Sequence, residues 1–154
     1  MNKNAGFTLI EVLIATLLLA AGLLGLAGLQ ATSLRNNLSA NNRSQATQLT
    51  YDIADRIRAN PLVAGNYLTT SAATCATNDT PCTACTSAAT ACTPTQVAVK
   101  DLFEWNSALT NTLPSGTGTI TLTGAIYTIS VKWDDNRDGA VNNSDPNFML
   151  SFQL

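Results

Sequence analysis

The sequence predicts an α+β fold in which one long N-terminal helix packs against a small antiparallel sheet. Three observations predict it: a 23-residue apolar run from Phe7 to Leu29, an amphipathic continuation as far as Asn60, and three alternating stretches near the C-terminus. An apolar run of this length is typical of a membrane-spanning helix. Alternation of apolar and polar residues is typical of strands with one buried face. We therefore expect a sheet of three or four strands behind the second half of the helix.

The apolar run contains one charged residue, Glu11. At a rise of about 1.5 Å per residue, a helix of this length spans a hydrocarbon core of about 30 Å. Lys3 and the amino terminus precede it, and their positive charge is expected to hold the N-terminus in the cytoplasm. A secretory signal would end in a small-residue cleavage site, but here the helical pattern continues past Leu29. We expect a single-pass protein with the rest of the chain outside.

The start of the run reads Gly6-Phe7-Thr8-Leu9-Ile10-Glu11-Val12-Leu13-Ile14. This segment resembles the cleavage and methylation motif of type IV prepilins and of the pseudopilins of type II secretion. The resemblance implies that residues 1–6 are a leader, that a prepilin peptidase cuts between Gly6 and Phe7, and that the new amine of Phe7 is methylated. It also implies the type IV pilin fold.

The same resemblance implies that Glu11 pairs with the positive N-terminus of a neighbouring subunit during assembly. The physical chemistry of the residue supports this role. A carboxylate within an apolar membrane helix costs about 2.5–3.5 kcal/mol on insertion scales. We therefore expect it only where a partner or a function offsets this cost. The alternative interpretation is an interfacial carboxylate that reaches back to water.

Composition excludes several classes of function. The net charge is −2, so the chain has no electrostatic footprint for nucleic acid. It contains no histidine, which excludes imidazole catalysis and the commonest zinc ligand. Neither a nucleophile elbow nor a phosphate-binding loop is present in the sequence. We expect a protein that is not an enzyme and has no small-molecule substrate.

Residues 7–30 are predicted to be the transmembrane and assembly helix, and residues 31–60 its amphipathic continuation. Asn60-Pro61 should end the helix, because the residue before proline is pushed out of the α region. The apolar residues of the continuation recur at helical spacing and predict one buried stripe: Leu34, Leu38, Ala46, Leu49, Ile53 and Ile57.

Residues 61–154 are predicted to form a globular head that begins with weak secondary-structure signals. Its loop 75–92 contains Cys75, Cys82, Cys85 and Cys92. An even number of cysteines in an exported chain predicts a framework of two disulfides, with three pairings open. Cys82-x-x-Cys85 has two alternative interpretations, a zinc half-site and a redox pair. A redox pair would need a thioredoxin-like strand and helix, which the sequence lacks.

A helix at about residues 94–112 is predicted by its start and its end. Thr93 is a typical cap, Pro94 a typical first residue, and Gln96 can complete a capping box. Pro114-Ser115-Gly116 ends the helical pattern. Asp101-Leu102, Trp105 and Leu113-Pro114-Ser115-Gly116 resemble the middle of the PilV family of minor pilins.

The sheet is predicted over about residues 118–154. Alternation marks three strands: the first around Ile120 and Leu122, the second over 127–133, and the third over 148–154. Gly124 provides a tight turn between the first two. The buried face of this sheet should cover the helix stripe at Ala46, Leu49, Ile53 and Ile57.

Residues 134–145, between the second and third strands, have the spacing of an EF-hand calcium loop, and more closely of its dockerin variant. The predicted oxygen ligands are Asp134, Asn136, Asp138, the Ala140 backbone carbonyl, Asn142 and Asp145. Gly139 permits the sharp turn between them. Pro146 is atypical, since an EF-hand loop continues into a helix. The alternative interpretation is a polar turn without an ion, because Asp, Asn and Gly are common in turns.

Resemblance to the PilV family implies a minor pilin that joins other minor pilins in a priming complex at the tip of a type IV pilus. The implied partners are the prepilin peptidase, other minor pilins and the major pilin. The implied location is the bacterial inner membrane, with the head in the periplasm, and later the extracellular pilus. Two alternatives stay open: a minor pseudopilin of a type II secretion system, and a calcium-dependent binding module on a pilin stem.

Overall fold

The structure, a computed structural model, describes residues 8–68 and 92–154. Within these two ranges the chain forms two α-helices, one 3₁₀ helix and three strands. In chain order they are α1 (Leu9–Ala59), the 3₁₀ helix (Pro61–Tyr67), α2 (Pro94–Thr112), β1 (Thr117–Thr123), β2 (Ile126–Lys132) and β3 (Asn147–Gln153). The predicted α+β class is confirmed, with three strands in the sheet. The chain forms two compact units, Met1–Ala40 and Asn41–Leu154.

In the first unit, α1 is long and apolar enough to cross a membrane. All its side chains from Leu9 to Leu38 are exposed. Leu34 and Leu38, predicted to belong to the buried stripe, are 61% and 42% exposed. That part of the prediction is wrong for a single chain, because the fully buried residues of α1 begin only at Ala46.

In the second unit, α1 buries one face at helical spacing. Predicted stripe residues Ala46, Ile53 and Ile57 are fully buried, and Leu49 is half-buried against the same core. Thr50 is also buried, and its hydroxyl donates to the Ala46 carbonyl at 2.7 Å. That bond satisfies the one hydroxyl on the buried face, so the rest of the face is free to make apolar contacts. α1 ends at Ala59, as Asn60-Pro61 predicted.

α2 begins with the predicted capping box. The Gln96 N–H donates to Thr93 Oγ1 at 3.3 Å, and the Thr93 N–H donates to Gln96 Oε1 at 2.8 Å. The helix buries Ala98, Leu102, Trp105 and Leu109. Trp105 Nε1 donates to the Leu49 carbonyl at 2.9 Å and so joins α2 to α1.

The sheet has the order β1-β2-β3, and both pairs of strands are antiparallel. β1 and β2 are joined by a turn at Gly124 and Ala125. One face of the sheet is buried in the same core as α1 and α2, through Ile120, Tyr127, Ile129, Val131 and Phe152. The opposite face is mainly hydroxyl-bearing, so the sheet has one apolar and one polar side, as the alternation predicted.

The 3₁₀ helix over Pro61–Tyr67 was not predicted. It lies in the stretch that carried the weakest sequence signal, and such helices are too short to show a clear periodicity. Tyr67 at its end is fully buried and belongs to the core. The 3₁₀ helix thus joins α1 to the head and is not a loose connection.

Candidate functional site

Glu11 is the charged residue of the predicted assembly segment, and it lies in the first turn of α1. Its N–H donates to the Thr8 carbonyl at 3.1 Å, so the helical pattern is already established there. The side chain is exposed and shares one helix surface with Val12, Ala15 and Leu19. No cation within the described parts of the chain pairs with it.

Several predicted site residues lie outside the described ranges. Gly6 and Phe7, the predicted cleavage and methylation residues, are two of them. Cys75, Cys82 and Cys85 are the others. Cys92 is within the described residues and is disulfide-bonded. The pairing of the four cysteines stays a prediction.

The loop 134–145 follows β2 and is held by hydrogen bonds from its own backbone. The Asp134 side chain is 4% exposed, and it accepts from the N–H groups of Asp138 at 3.2 Å and Gly139 at 2.9 Å. Asn136 Oδ1 accepts from the Asp138 N–H at 2.9 Å. Gly139 has a φ of +92°, which strongly favours glycine. The sharp turn expected at Gly139 is present.

Side-chain amides occupy two of the oxygens that the calcium hypothesis assigns to the ion, Asp138 Oδ2 and the Ala140 carbonyl. Asp138 Oδ2 accepts from Nδ2 of Asn136 at 3.0 Å and of Asn142 at 3.2 Å, while Oδ1 accepts from the Ala140 N–H at 2.9 Å. The bonds from Ala140 and then Asn136 lower the pKa of the Asp138 carboxyl. Asn142 Nδ2 also lies 3.3 Å from the Ala140 carbonyl. An ion would have to replace these amide donors.

Asp145 is the last predicted ligand, and only one of its two carboxylate oxygens has a hydrogen-bond donor among the described residues. Its Oδ2 accepts from the Asn142 N–H at 2.8 Å, while its Oδ1 is buried and has no hydrogen-bond partner among residues 8–68 and 92–154. Within those ranges, no three carboxylate or thiol groups lie close enough together to hold a metal ion. Calcium binding here stays a prediction, and it requires Asn136 and Asn142 to turn their amides away.

A polar cluster that sequence analysis missed joins α1, the 3₁₀ helix and α2. Arg56 contacts Asp52 at 3.0 Å, Asp101 at 2.9 Å and Glu104 at 2.7 Å. The Tyr67 hydroxyl donates to the second oxygen of Asp101 at 2.6 Å. We call these five residues the Arg56 cluster. Only the Asp52–Arg56 pair, four residues apart on one helix, has a local sequence signal.

Every carboxylate of the Arg56 cluster contacts the Arg56 guanidinium. Burial opposes the charge of Arg56, but hydrogen bonds to Glu104, Asp101 and Asp52 outweigh it and raise its pKa. The hydrogen bond from Arg56 lowers the pKa of Glu104. Burial, together with the bond to Asp101, raises the pKa of Tyr67. These shifts all favour the paired state, which is typical of a structural network.

Two family models match the chain, and together they extend from its first residue to residue 103. The model of the prokaryotic N-terminal methylation motif matches residues 1–27. The model of type IV pilin Tt1218 matches residues 28–103. No curated protein and no solved structure matches the chain.

The matches and the structure agree. The methylation motif implies processing by a prepilin peptidase and assembly with pilus components, and it lies on the apolar helix that would anchor the chain in a membrane. A long N-terminal helix packed with a small antiparallel sheet is the type IV pilin fold. Type IV pilins are structural proteins. The chain belongs to the type IV pilin-like family, whose members assemble into pili or pseudopili.

Proposed function

We propose that this protein is a minor pilin that takes part in priming and assembly of a type IV pilus, within a tip complex of minor pilins. The observation that carries the assembly role is the exposed carboxylate of Glu11, which has no cationic partner among the described residues and is the one charged residue of α1 between Leu9 and Leu29. Resemblance to the PilV family around Asp101, Trp105 and Leu113–Gly116 supports the minor role.

The proposed sequence of events begins in the membrane. Prepilin peptidase removes residues 1–6 between Gly6 and Phe7 and methylates Phe7. Residues 7–30 then hold the subunit in the bacterial inner membrane, with residues 31–60 and the head, 61–154, on the periplasmic side. When Glu11 meets the N-terminus of a neighbouring minor or major pilin, the attraction offsets the cost of the buried charge. The subunit then enters the extracellular pilus.

The Glu11 role is tested by Glu11→Ala, with Thr16→Ala as a matched control. The Thr16 hydroxyl bonds only the Leu13 carbonyl of its own helix at 2.9 Å, so its loss should not affect assembly. We expect both variants to reach the inner membrane, and only Glu11→Ala to be absent from sheared pili probed by immunoblot. Equal amounts of wild type and Glu11→Ala in the pilus fraction would contradict the proposal.

Processing is tested by coexpression with and without a prepilin peptidase. With the peptidase, intact-mass measurement should show loss of residues 1–6 and gain of one methyl group, and fragmentation should place that methyl on Phe7. A mature chain that keeps Gly6, even with active peptidase, would contradict the proposed cleavage.

A deletion strain distinguishes a subunit of a type IV pilus from a pseudopilin of a type II secretion system. Loss of surface pili with normal secretion of exoproteins supports the type IV pilus. Normal pili with blocked secretion would instead identify a minor pseudopilin of a type II secretion system. Complementation with the wild-type gene should restore the lost phenotype, which controls for effects on neighbouring genes, while the Glu11→Ala variant should fail to restore it in either case.

A second candidate function is calcium-dependent binding by the loop 134–145 on the pilin stem. The observation that favours it is the buried Asp145 Oδ1, which lacks a donor among the described residues. Burying an acceptor without a partner costs about 1–3 kcal/mol, which an ion would recover. The other ligands would be Asp134, Asn136, Asp138, the Ala140 carbonyl and Asn142.

Calorimetric titration of the purified protein with calcium tests this function. We expect a dissociation constant of about 10⁻⁴–10⁻³ M, typical of extracellular modules. Asp145→Asn should abolish binding, while Asp55→Asn, outside the loop, should leave it unchanged. Absence of binding at about 10 mM calcium, ten times the weak end of that range, would exclude this function.

A further inference from the structure

One carboxylate oxygen in the loop 134–145 holds two different parts of the head. Asp135 Oδ1 accepts from Trp133 Nε1 at 2.9 Å and from Asn42 Nδ2 at 3.3 Å. Trp133 is 1% exposed and follows β2, whereas Asn42 belongs to α1. We call these three residues the Asp135 clamp. It joins the core, the loop and α1 through a single atom.

The loop side of the clamp is preorganised. Asp134 is buried, and its side chain caps the N–H groups of Asp138 and Gly139. Its own N–H donates to the Pro114 carbonyl at 2.9 Å. The residue before Asp135 is therefore held in place by bonds to the loop and to Pro114, so the position of the Asp135 carboxylate depends on the conformation of the loop.

The helix side of the clamp lies where α1 has little apolar burial. Asn42 is half-buried, while its neighbours Asn41 and Arg43 are exposed. The first fully buried residue of α1 is Ala46, one turn later. Where few apolar contacts hold a helix, a polar contact contributes a large share of its local stability.

We propose that the loop 134–145 clamps α1 through Asp135, so that a change in the position of the Asp135 carboxylate changes the local stability of α1 over residues 42–47. Two sites are coupled when both bias one structural element, here the position of the Asp135 carboxylate. The inference goes beyond the assembly role of Glu11 and does not require the loop to bind calcium. The conformation of the loop then sets the local stability of α1 near Asn42.

The helix side is tested by hydrogen exchange on the full chain in detergent, comparing Asn42→Ala with Asn41→Ala. Both substitutions raise helix propensity equally, so propensity cancels in the comparison. We expect amides 42–47 to exchange about tenfold faster in Asn42→Ala than in Asn41→Ala, because a hydrogen bond to a charged group is lost. Amides of β2 should keep their wild-type rates in both. Equal exchange of amides 42–47 in the two variants would overturn the proposal.

The loop side is tested by Asp135→Ala and Asp135→Asn. Asp135→Ala removes the acceptor of both donors, so we expect faster exchange at residues 42–47 and a shift in Trp133 fluorescence. Asp135→Asn keeps an acceptor oxygen and should restore both readouts. Unchanged exchange in Asp135→Ala would overturn the proposal. If Asp135→Ala does not fold, the comparison of Asn42→Ala with Asn41→Ala decides.

Discussion

At the scale of single residues, Gly118 sets the distance between the sheet and α2. A Cβ atom at this position would clash with Trp105 Cη2 and would lie 2.7 Å from Leu109 Cδ1. Both neighbours are fully buried, and the Trp105 indole also bonds the Leu49 carbonyl. Because Trp105 cannot move without losing that bond, hydrogen is the only substituent that fits at residue 118.

We expect Gly118→Ala to lower the free energy of unfolding by about 1–3 kcal/mol, as overpacking of a core does. Urea unfolding of the head measures the change. The matched control is Gly65→Ala, since a Cβ at Gly65 would meet no atom within 4 Å. A loss of similar size in both variants would contradict the packing explanation, because Gly→Ala without a clash is expected to stabilise by lowering the entropy of the unfolded chain.

The lowered pKa of Glu104 predicts how the stability of the head changes with pH. The hydrogen bond from Arg56 holds its pKa below the usual value of 4.5, so the unfolded chain binds this proton more readily than the folded one. The stabilisation that the Glu104 carboxylate gives the folded head is therefore complete above the pKa of this group in the unfolded chain. It is lost as the pH falls through the pKa of the group in the folded chain. We expect the stability difference between wild type and Glu104→Gln to shrink as the pH falls below the usual glutamate pKa of 4.5.

Thermal unfolding at a series of pH values measures this difference. Asp55→Asn is the control, because Asp55 pairs with Arg58 outside the Arg56 cluster. A difference between wild type and Glu104→Gln that is independent of pH would contradict the assignment.

At the scale of elements, the start of α2 rests on reciprocal bonds between Thr93 and Gln96. We expect Thr93→Ala to cost about 1 kcal/mol of stability through loss of the cap. The control is Thr110→Ala, since Thr110 bonds only carbonyls of its own helix. Denaturant unfolding should show no loss for Thr110→Ala. A Thr93→Ala variant as stable as wild type would mean that tertiary contacts alone fix the helix start.

Elements that depend on neighbours in sequence could be predicted, because their signals are local. The cap at Thr93, the end of α1 before Pro61 and the alternation in β2 are examples. The Arg56 cluster could not be predicted, since Asp101 and Glu104 are more than 40 residues from Arg56. In the loop 134–145 the spacing predicted the turn, but not that the amides of Asn136 and Asn142 would face Asp138.

At the scale of the whole molecule, the described core of the head begins well after the start of α1. Its side chains are exposed from Leu9 to Leu38, and full burial begins at Ala46. We expect a chain that starts at Gln30 to be soluble without detergent and to unfold at the temperature of the full-length head. A chain that starts at Leu49 lacks Asn42 and Ala46 and should unfold at a lower temperature. Circular dichroism measures both.

Equal melting temperatures for the two truncated chains would contradict the assignment of Ala46 to the core. Aggregation of the chain that starts at Gln30 would mean that Leu34 and Leu38 alone suffice to make it insoluble.

The bare apolar surface of α1 restricts where the subunit can exist. Twelve large aliphatic side chains between Leu9 and Leu29 lie exposed in one chain. Each is worth about 1.5–3 kcal/mol when removed from water, roughly 20–35 kcal/mol together. The intact subunit is therefore unstable in water. It is stable where α1 is surrounded by lipid tails or by the helices of other subunits. Assembly into a pilus or pseudopilus must therefore transfer subunits directly between these two surroundings, without a dissolved pool.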